Sequence, residues 1–196
     1  MKLLHLDTSA LGAHSVSREL SAAIVARWQA AVPGLTVEYR DLDANPLPHL
    51  TGAELTGANA EAKAAGDATM DQFLASDVIV IGAPMYNFGI PSTLKAWIDR
   101  VAVAGRTFRY TEAGPEGLAK GKKLIVASAR GGIHGNDADF QENYLRYVMG
   151  FLGVTDVEFV RAEGIAYSPQ HRSDAIASAH ASIGASNVEA RELEVA

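Results

Sequence analysis

One stretch constrains the architecture more than any other: Val78-Ile79-Val80-Ile81-Gly82-Ala83, with no polar side chain between Asp77 and Pro84. No apolar run in the chain approaches membrane-spanning length, so this one reads as a strand, residues 77–83. It is apolar on both faces, the pattern of a central strand in a parallel sheet. Such a strand needs cover above and below, and the rest of the chain alternates in a way that provides it.

Lys2 to Asp7 reads as a first strand. Leu20, Ile24, Trp28 and Ala31 follow at helical spacing, with Ser15 or Ser17 as the cap and Pro33-Gly34 as the stop. Thr36 to Asp41 alternates as a second strand. Residues 43–59 carry Pro and Gly punctuation and read as a loop over the sheet end. An alanine-rich helix is expected over Ala58 to Ala75, and another from Pro91 to Val101. Lys122 to Ser128 reads as a fourth strand. Phe140, Tyr144, Tyr147, Val148 and Phe151 keep helical spacing, and Gly153 stops that helix. Asp156 to Ala162 is a fifth strand, Gly164 to His171 a loop, and Ser173 to Glu194 a last helix with a polar tail in which Glu189, Arg191, Glu192 and Glu194 form a solvated face. Strands alternating with helices predict an α/β fold with a parallel sheet. The expected order is 2-1-3-4-5: a flavodoxin-like, doubly wound, five-stranded sheet with helices on both faces. In that order a ligand, FMN in the fold's namesake, sits where strands one and three part.

The composition is that of one ordinary globular domain over residues 1–196: 48% hydrophobic, 20% charged. A net charge of −6 argues against non-specific nucleic-acid or anionic-membrane partners. There is no cysteine, hence no disulfide, thiolate metal site or cysteine nucleophile. The apolar part of residues 1–7 is too short for a signal peptide, so a cytoplasmic location is expected. The six histidines are scattered without ligand spacing, and no metal site is expected. His5, in mid-strand, reads as a satisfied core histidine; Trp28 and Trp97 read as core or interface.

Three strand-exit loops carry the candidate chemistry. The first, residues 8–17, offers Ser9, Ser15 and Ser17 hydroxyls and amides at a helix start, which suits either phosphate binding or plain capping. His14 and Arg18 are placed to add positive charge. The second, Ala83-Pro84-Met85-Tyr86-Asn87-Phe88-Gly89-Ile90-Pro91, is apolar and stiffened by proline at both ends. It suits a flat, partly apolar ligand, or packing beneath a neighbouring subunit. The third, Ala129-Arg130-Gly131-Gly132-Ile133-His134-Gly135, has paired glycines that let backbone approach a ligand. Residues 105–117 form a longer excursion that reads as a hairpin. Neither a Walker A loop nor Gly-x-Gly-x-x-Gly is present, and no Gly-x-Ser-x-Gly elbow supports hydrolase chemistry.

Pro84-Met85-Tyr86-Asn87-Phe88, Ile90-Pro91, Leu94-Lys95 and Trp97 together resemble the signature of the FMN-dependent NAD(P)H azoreductase and quinone reductase family. So do Gly105-Arg106-Thr107-Phe108-Arg109-Tyr110-Thr111, Gly114-Pro115-Glu116-Gly117-Leu118, Arg130-Gly131-Gly132, Gly153-Val154-Thr155-Asp156 and Ala162-Glu163-Gly164-Ile165-Ala166. The resemblance implies a flavodoxin-like homodimer with FMN near the interface. It implies reduction of quinones and azo compounds by NADH or NADPH, in a ping-pong hydride transfer through FMN. Carried over by motif, Ser9, Ser15, Val16 and Ser17 hold the phosphate; Met85, Tyr86, Asn87 and Phe88 contact the ring; Ala129, Arg130, Gly131 and Gly132 line its pyrimidine side. Tyr110 and Phe151 wall the substrate pocket, Phe151 reaching the flavin of the other subunit. No side chain is assigned as a catalytic acid. The sequence departs from the family at Ala129, where a serine is common, and at Val103, where an arginine is common. The rival reading is an electron-carrier flavodoxin-like protein that docks redox protein partners.

Overall fold

The computed structural model describes residues 1–56, 58–134 and 139–184. Its strands and helices run β1 (Lys2–Asp7), α1 (Val16–Ala31), β2 (Thr36–Asp41), α2 (Gly52–Leu55), α3 (Ala60–Ala75), β3 (Val78–Pro84), α4 (Ser92–Val101), β4 (Phe108–Thr111), β5 (Gly114–Gly117), β6 (Lys123–Ala129), α5 (Phe140–Leu152), β7 (Asp156–Ala162) and α6 (Pro169–Ser182). The main sheet has five strands in the order β2-β1-β3-β6-β7, every pair parallel. That is the expected 2-1-3-4-5 order. The later strands take higher numbers because β4 and β5 pair antiparallel as a separate hairpin, the excursion foreseen over 105–117.

The central strand behaves as its composition demands. Side chains alternate across a strand, so Val78 and Val80 face one helical layer while Ile79, Ile81 and Ala83 face the other. The first layer is α1 and α6, packed through Leu20, Ile24, Trp28 and Ala179. The second is α3, α4 and α5, packed through Phe73, Leu94, Trp97, Leu145 and Met149. Both tryptophans are buried core residues. No helix among the described residues is long and apolar enough to cross a membrane.

Two expectations need correction, and the inner face of α5 is set by the packing. The loop over 43–59 contains the one-turn helix α2, closed by a capping box in which Thr51 and Glu54 satisfy each other's backbone N–H. The last helix starts at Pro169, capped by Ser168, and ends at Ser182; the remainder of the expected span, with Glu189, Arg191, Glu192 and Glu194, lies outside the described residues. On α5, Phe140 and Tyr147 are 63% and 79% exposed, whereas Gln141, Glu142, Leu145, Met149 and Leu152 are buried. Tyr144, Val148 and Phe151 lie between, partly buried against the core. Gly153 ends the helix in the left-handed conformation, as expected.

Candidate functional site

The exits of β1, β3 and β6 meet at the carboxyl edge of the sheet. In the first loop, Thr8 Oγ1 donates to the Gly82 carbonyl at 2.7 Å, tying the loop to β3. Ser9 and Ser17 are fully buried and Ser15 nearly so. Ser15 Oγ caps α1 by accepting from Arg18 N at 3.3 Å, and lies 3.0 Å from Ser17 Oγ. Val16 packs its side chain into the core, so what it offers a ligand is its N–H in the first turn of α1. Two buried hydroxyls and a helix start thus converge where an anion is best received.

Arg18 does not supply the charge expected of it. Its guanidinium grips Asp41 at 2.6 and 2.8 Å and donates twice to the Ser9 carbonyl, at 3.1 and 2.8 Å. Parallel pairing sets Asp41 of β2 beside Asp7 of β1, and so brings the carboxylate to the arginine. Arg18 is a strut that fixes the first loop. The hydrogen bond from Arg18 lowers the pKa of Asp41 against the opposing effect of burial, and the amides of Ala44 and Asp43 help. The folded-state pKa lies below the unfolded one. Its stabilisation is therefore complete above the unfolded value, about 4, and is lost as pH falls through the folded value. Urea unfolding at stepped acid pH is expected to show this loss, and Asp41→Asn to flatten it.

Beneath the loop, His5 Nε2 lies 2.9 Å from Ser21 Oγ, which donates to Asp7 Oδ1 at 2.7 Å. His5 is the satisfied core histidine expected. The Ser21 hydroxyl is turned to the carboxylate and fully buried, so this trio is a structural network and not a nucleophile with its base.

The second loop is a tight reversal. Tyr86 and Gly89 exchange both backbone hydrogen bonds at 3.0 Å. The two residues between them hold positive φ, Asn87 at 49° and Phe88 at 67°. Two left-handed residues in succession make a hairpin turn of the primed kind, normally the place of Asn-Gly. Asparagine tolerates this conformation; phenylalanine does so at a cost of about 1–2 kcal/mol. Phe88 is also 53% exposed. Phe88 thus combines backbone strain with an exposed aromatic ring. Tyr86 reaches back to the first loop: its hydroxyl lies 3.1 Å from Ser9 Oγ and accepts from Ala10 N at 3.2 Å. Loops one and two are thereby locked together.

Met85 N donates to the Ala129 carbonyl at 2.8 Å, joining loop two to loop three. In loop three the Arg130 side chain turns inward and is almost fully buried. It binds Asp139 at 2.9 Å, Glu142 at 2.7 Å and Ser128 Oγ at 3.1 Å. Its backbone N–H and carbonyl are taken by Ala162 and Ile165. Arg130 anchors the loop. The carbonyls of Gly131 and Gly132 accept from Ala166 and Gly164, and neither glycine N–H has a partner among the described residues. A Cβ on Gly132 would stand 3.0 Å from the His134 ring. That ring meets Phe88 edge-on at 5.4 Å. Gly135 lies outside the described residues.

Tyr110 and Phe151 stand apart from these loops. Phe151 occupies the last turn of α5, after which the chain re-enters the sheet at Asp156, paired with the first residue of β6. Eleven residue steps along α5 separate it from the helix start by about 16 Å. Tyr110 joins it through Phe108, with ring centroids 5.7 and 4.5 Å apart. Val103 is exposed, and the nearest ion pairs there are those of Arg106 with Asp67 and Asp71. An open groove of about 680 Å³ runs beside loop two, lined by His49, Gly89, Ile90, Phe140 and Tyr144 among others. His49, in the segment before α2, thus lies beside loop two. No group of three potential metal ligands gathers among the described residues.

Residues 1–186 match the model of a family described as having a flavodoxin-like fold. The chain belongs to that family. It is 66% identical over 184 residues to the FMN-dependent NADH:quinone oxidoreductase 1 of Xanthomonas axonopodis pv. citri, covering 93% of this chain and 95% of that one. Among solved structures it resembles an azoreductase from Bacillus anthracis str. Sterne, at TM-score 0.85 and 32% identity over 92% of this chain and 95% of the other. It also resembles an FMN-dependent NADH-azoreductase from Bacillus anthracis str. Ames Ancestor solved with FMN, at TM-score 0.83 and 27% identity over 93% and 95% of the two chains. In the flavodoxin-like fold, the parting of β1 and β3 is the expected ligand crevice, and loops one and two flank it here.

Proposed function

We infer that this chain is an FMN-dependent NADH:quinone oxidoreductase that also reduces azo compounds. The observation that carries this is the 66% identity to a protein of that name across nearly the whole of both chains. The local chemistry supports it. The buried hydroxyls of Ser9, Ser15 and Ser17, with the first-turn amides of α1, suit a phosphate held without a cation. The strained Asn87–Phe88 turn and the glycine cradle at Gly131 and Gly132 suit the two edges of a flat ring.

FMN, when bound, supplies reversible two-electron hydride chemistry. The chain's own share is placement. Met85 and Phe88 would shield the ring from water. The Asn87 amide and the N–H groups of Gly131 and Gly132 would serve its polar rim, where donors stabilise developing negative charge. Asn87→Gly keeps the turn and deletes the amide, and is expected to slow flavin reduction by NADH about tenfold, read by stopped flow. Phe88→Gly relieves the left-handed strain. It is expected to raise the urea stability of the flavin-free chain by about 1 kcal/mol while weakening FMN binding. A loss of both properties would show that the turn is held for folding alone.

Tyr110 and Phe151 lie too far from loop two within one chain to wall its pocket. They take that role when a second copy brings its hairpin and the end of α5 across, and the exposed Tyr110 and Tyr147 rings are suited to such an interface. Sedimentation is expected to give a dimer; a monomer with full turnover removes both residues from the pocket.

Purification is expected to yield a yellow protein that oxidises NADH when a simple quinone is present. Stripping FMN abolishes turnover and adding it back restores it. A flavin-loaded chain inert toward NADH and quinone would sink the enzyme reading and return the protein to the carrier class.

A further inference from the structure

Gln141, the second residue of α5, is fully buried. A glutamine in such a place must have its amide satisfied by specific partners. Its Nε2 donates to the Ala83 carbonyl at 2.9 Å. Its Oε1 accepts from Ser128 Oγ at 3.2 Å and lies 3.4 Å from Arg130 Nη2. A carbonyl on one side and donors on the other fix which way the amide points. Ala83 immediately precedes Pro84-Met85, the start of loop two. Ser128 immediately precedes Ala129 and Arg130, the start of loop three. Ala83 and Ser128 are also register partners in the sheet. One side chain from α5 therefore holds together the two strand ends from which both ring-facing loops depart. Further along its buried face α5 carries Leu145, Met149 and Leu152. The polar exceptions, Gln141 and Glu142, gather at the loop end of the helix, where an apolar side chain could not join the strands.

We propose that Gln141 is a positioning residue for the flavin ring: through Ala83 and Ser128 it sets the spacing of loops two and three. The inference rests on the FMN reading above. It has a specific consequence. The phosphate is assigned to loop one, which meets loop two through Tyr86 but has its own anchors to β3 and β2, Thr8 on the Gly82 carbonyl and Arg18 on Asp41; Gln141 makes none of these bonds. A Gln141 substitution therefore weakens FMN and riboflavin, which lacks the phosphate, by one common factor. A defect in loop one weakens FMN alone.

The test is a fluorescence titration of flavin-stripped wild type and Gln141→Leu with FMN and with riboflavin. Thermal melts and the visible band of the bound flavin are recorded alongside. The expected result is a loss of about tenfold in affinity for both flavins, equal within twofold, with an altered visible band. A folded Gln141→Leu chain that binds both flavins within twofold of wild type overturns the proposal, even if its melting temperature falls. So does a loss confined to FMN. If Gln141→Leu does not fold, Ser128→Ala removes a single hydroxyl from the same bridge. A common loss of about threefold for both flavins supports the proposal, and unchanged affinity for both overturns it. A wild-type chain that binds neither flavin overturns the functional reading, and this inference with it.

Discussion

Gly82→Ala is expected to lower the stability of this protein by about 3 kcal/mol, seen as a large fall in the urea midpoint. Gly82 lies inside β3, and the pleat directs its missing side chain to the face that α1 crosses. A Cβ there would stand 2.4 Å from Asp7 Oδ1, 3.1 Å from the Ser17 carbonyl and 3.1 Å from Ser21 Oγ. None of these has room to yield. Asp7 is held by Ser21 and by the Tyr39 hydroxyl at 3.2 Å. The Ser17 carbonyl is helix backbone. Relief requires α1 to lift from the sheet, and with it the first turn that carries Ser15 and Ser17. Gly52→Ala is the control: it has no atom within 4 Å of the new methyl and no positive φ, and is expected to shift stability by less than about 0.5 kcal/mol. If both variants unfold at the same urea concentration, the close approach of α1 to β3 is wrong.

Arg130→Met is expected to cost about 3–5 kcal/mol, the range for removing one partner from a buried ionic network. Methionine fills much of the same volume. It leaves Asp139 without its arginine and Glu142 with Arg161 alone, whose bonds to Glu142 are 2.7–3.0 Å long. Arg130→Lys keeps the charge, but a single ammonium cannot span Asp139, Glu142 and Ser128 together, so an intermediate loss is expected. Urea unfolding of the flavin-free chain separates this account from a direct one. An arginine whose side chain served only the flavin would weaken flavin binding and leave the unfolding curve of the empty protein in place.

Arg130 shows where sequence reading stops. Its position after a central strand and before two glycines marked a ligand loop, and the loop is there. Nothing local said that the side chain would turn inward. Its partners Asp139, Glu142 and Glu163 belong to α5 and to the exit of β7, and only folding gathers them. Arg18 follows the same logic: adjacent to a serine-rich loop it reads as added positive charge, but β1–β2 pairing delivers Asp41 to it. The inner face of α5 has a related cause. Aromatic residues at helical spacing establish a helix, yet periodicity is blind to which side is inside. Here Gln141 and Glu142 lie inside because they satisfy Ala83, Ser128 and Arg130, while Phe140 and Tyr147 stay outside. Helix α2 escaped because four residues carry no period; its one readable signal was Thr51 three residues before Glu54. The start of α6 had its own mark, Ser168-Pro169, a cap followed by a first-turn proline.

The sequence by itself determined what depends on neighbours along the chain. An apolar run without alternation made β3 central, regular spacing made the helices, and proline and glycine marked the loops and the hairpin. From these the sheet order and the three exit loops followed, and the motif in loop two carried the family. The tertiary structure alone decided which polar groups meet. Hydrogen bonds and ion pairs act over a few ångströms between residues far apart in sequence, so the commitments of Arg18, Arg130 and Gln141, the strain at Phe88 and the separation of Tyr110 and Phe151 from loop two became fixed only once strands and helices were packed.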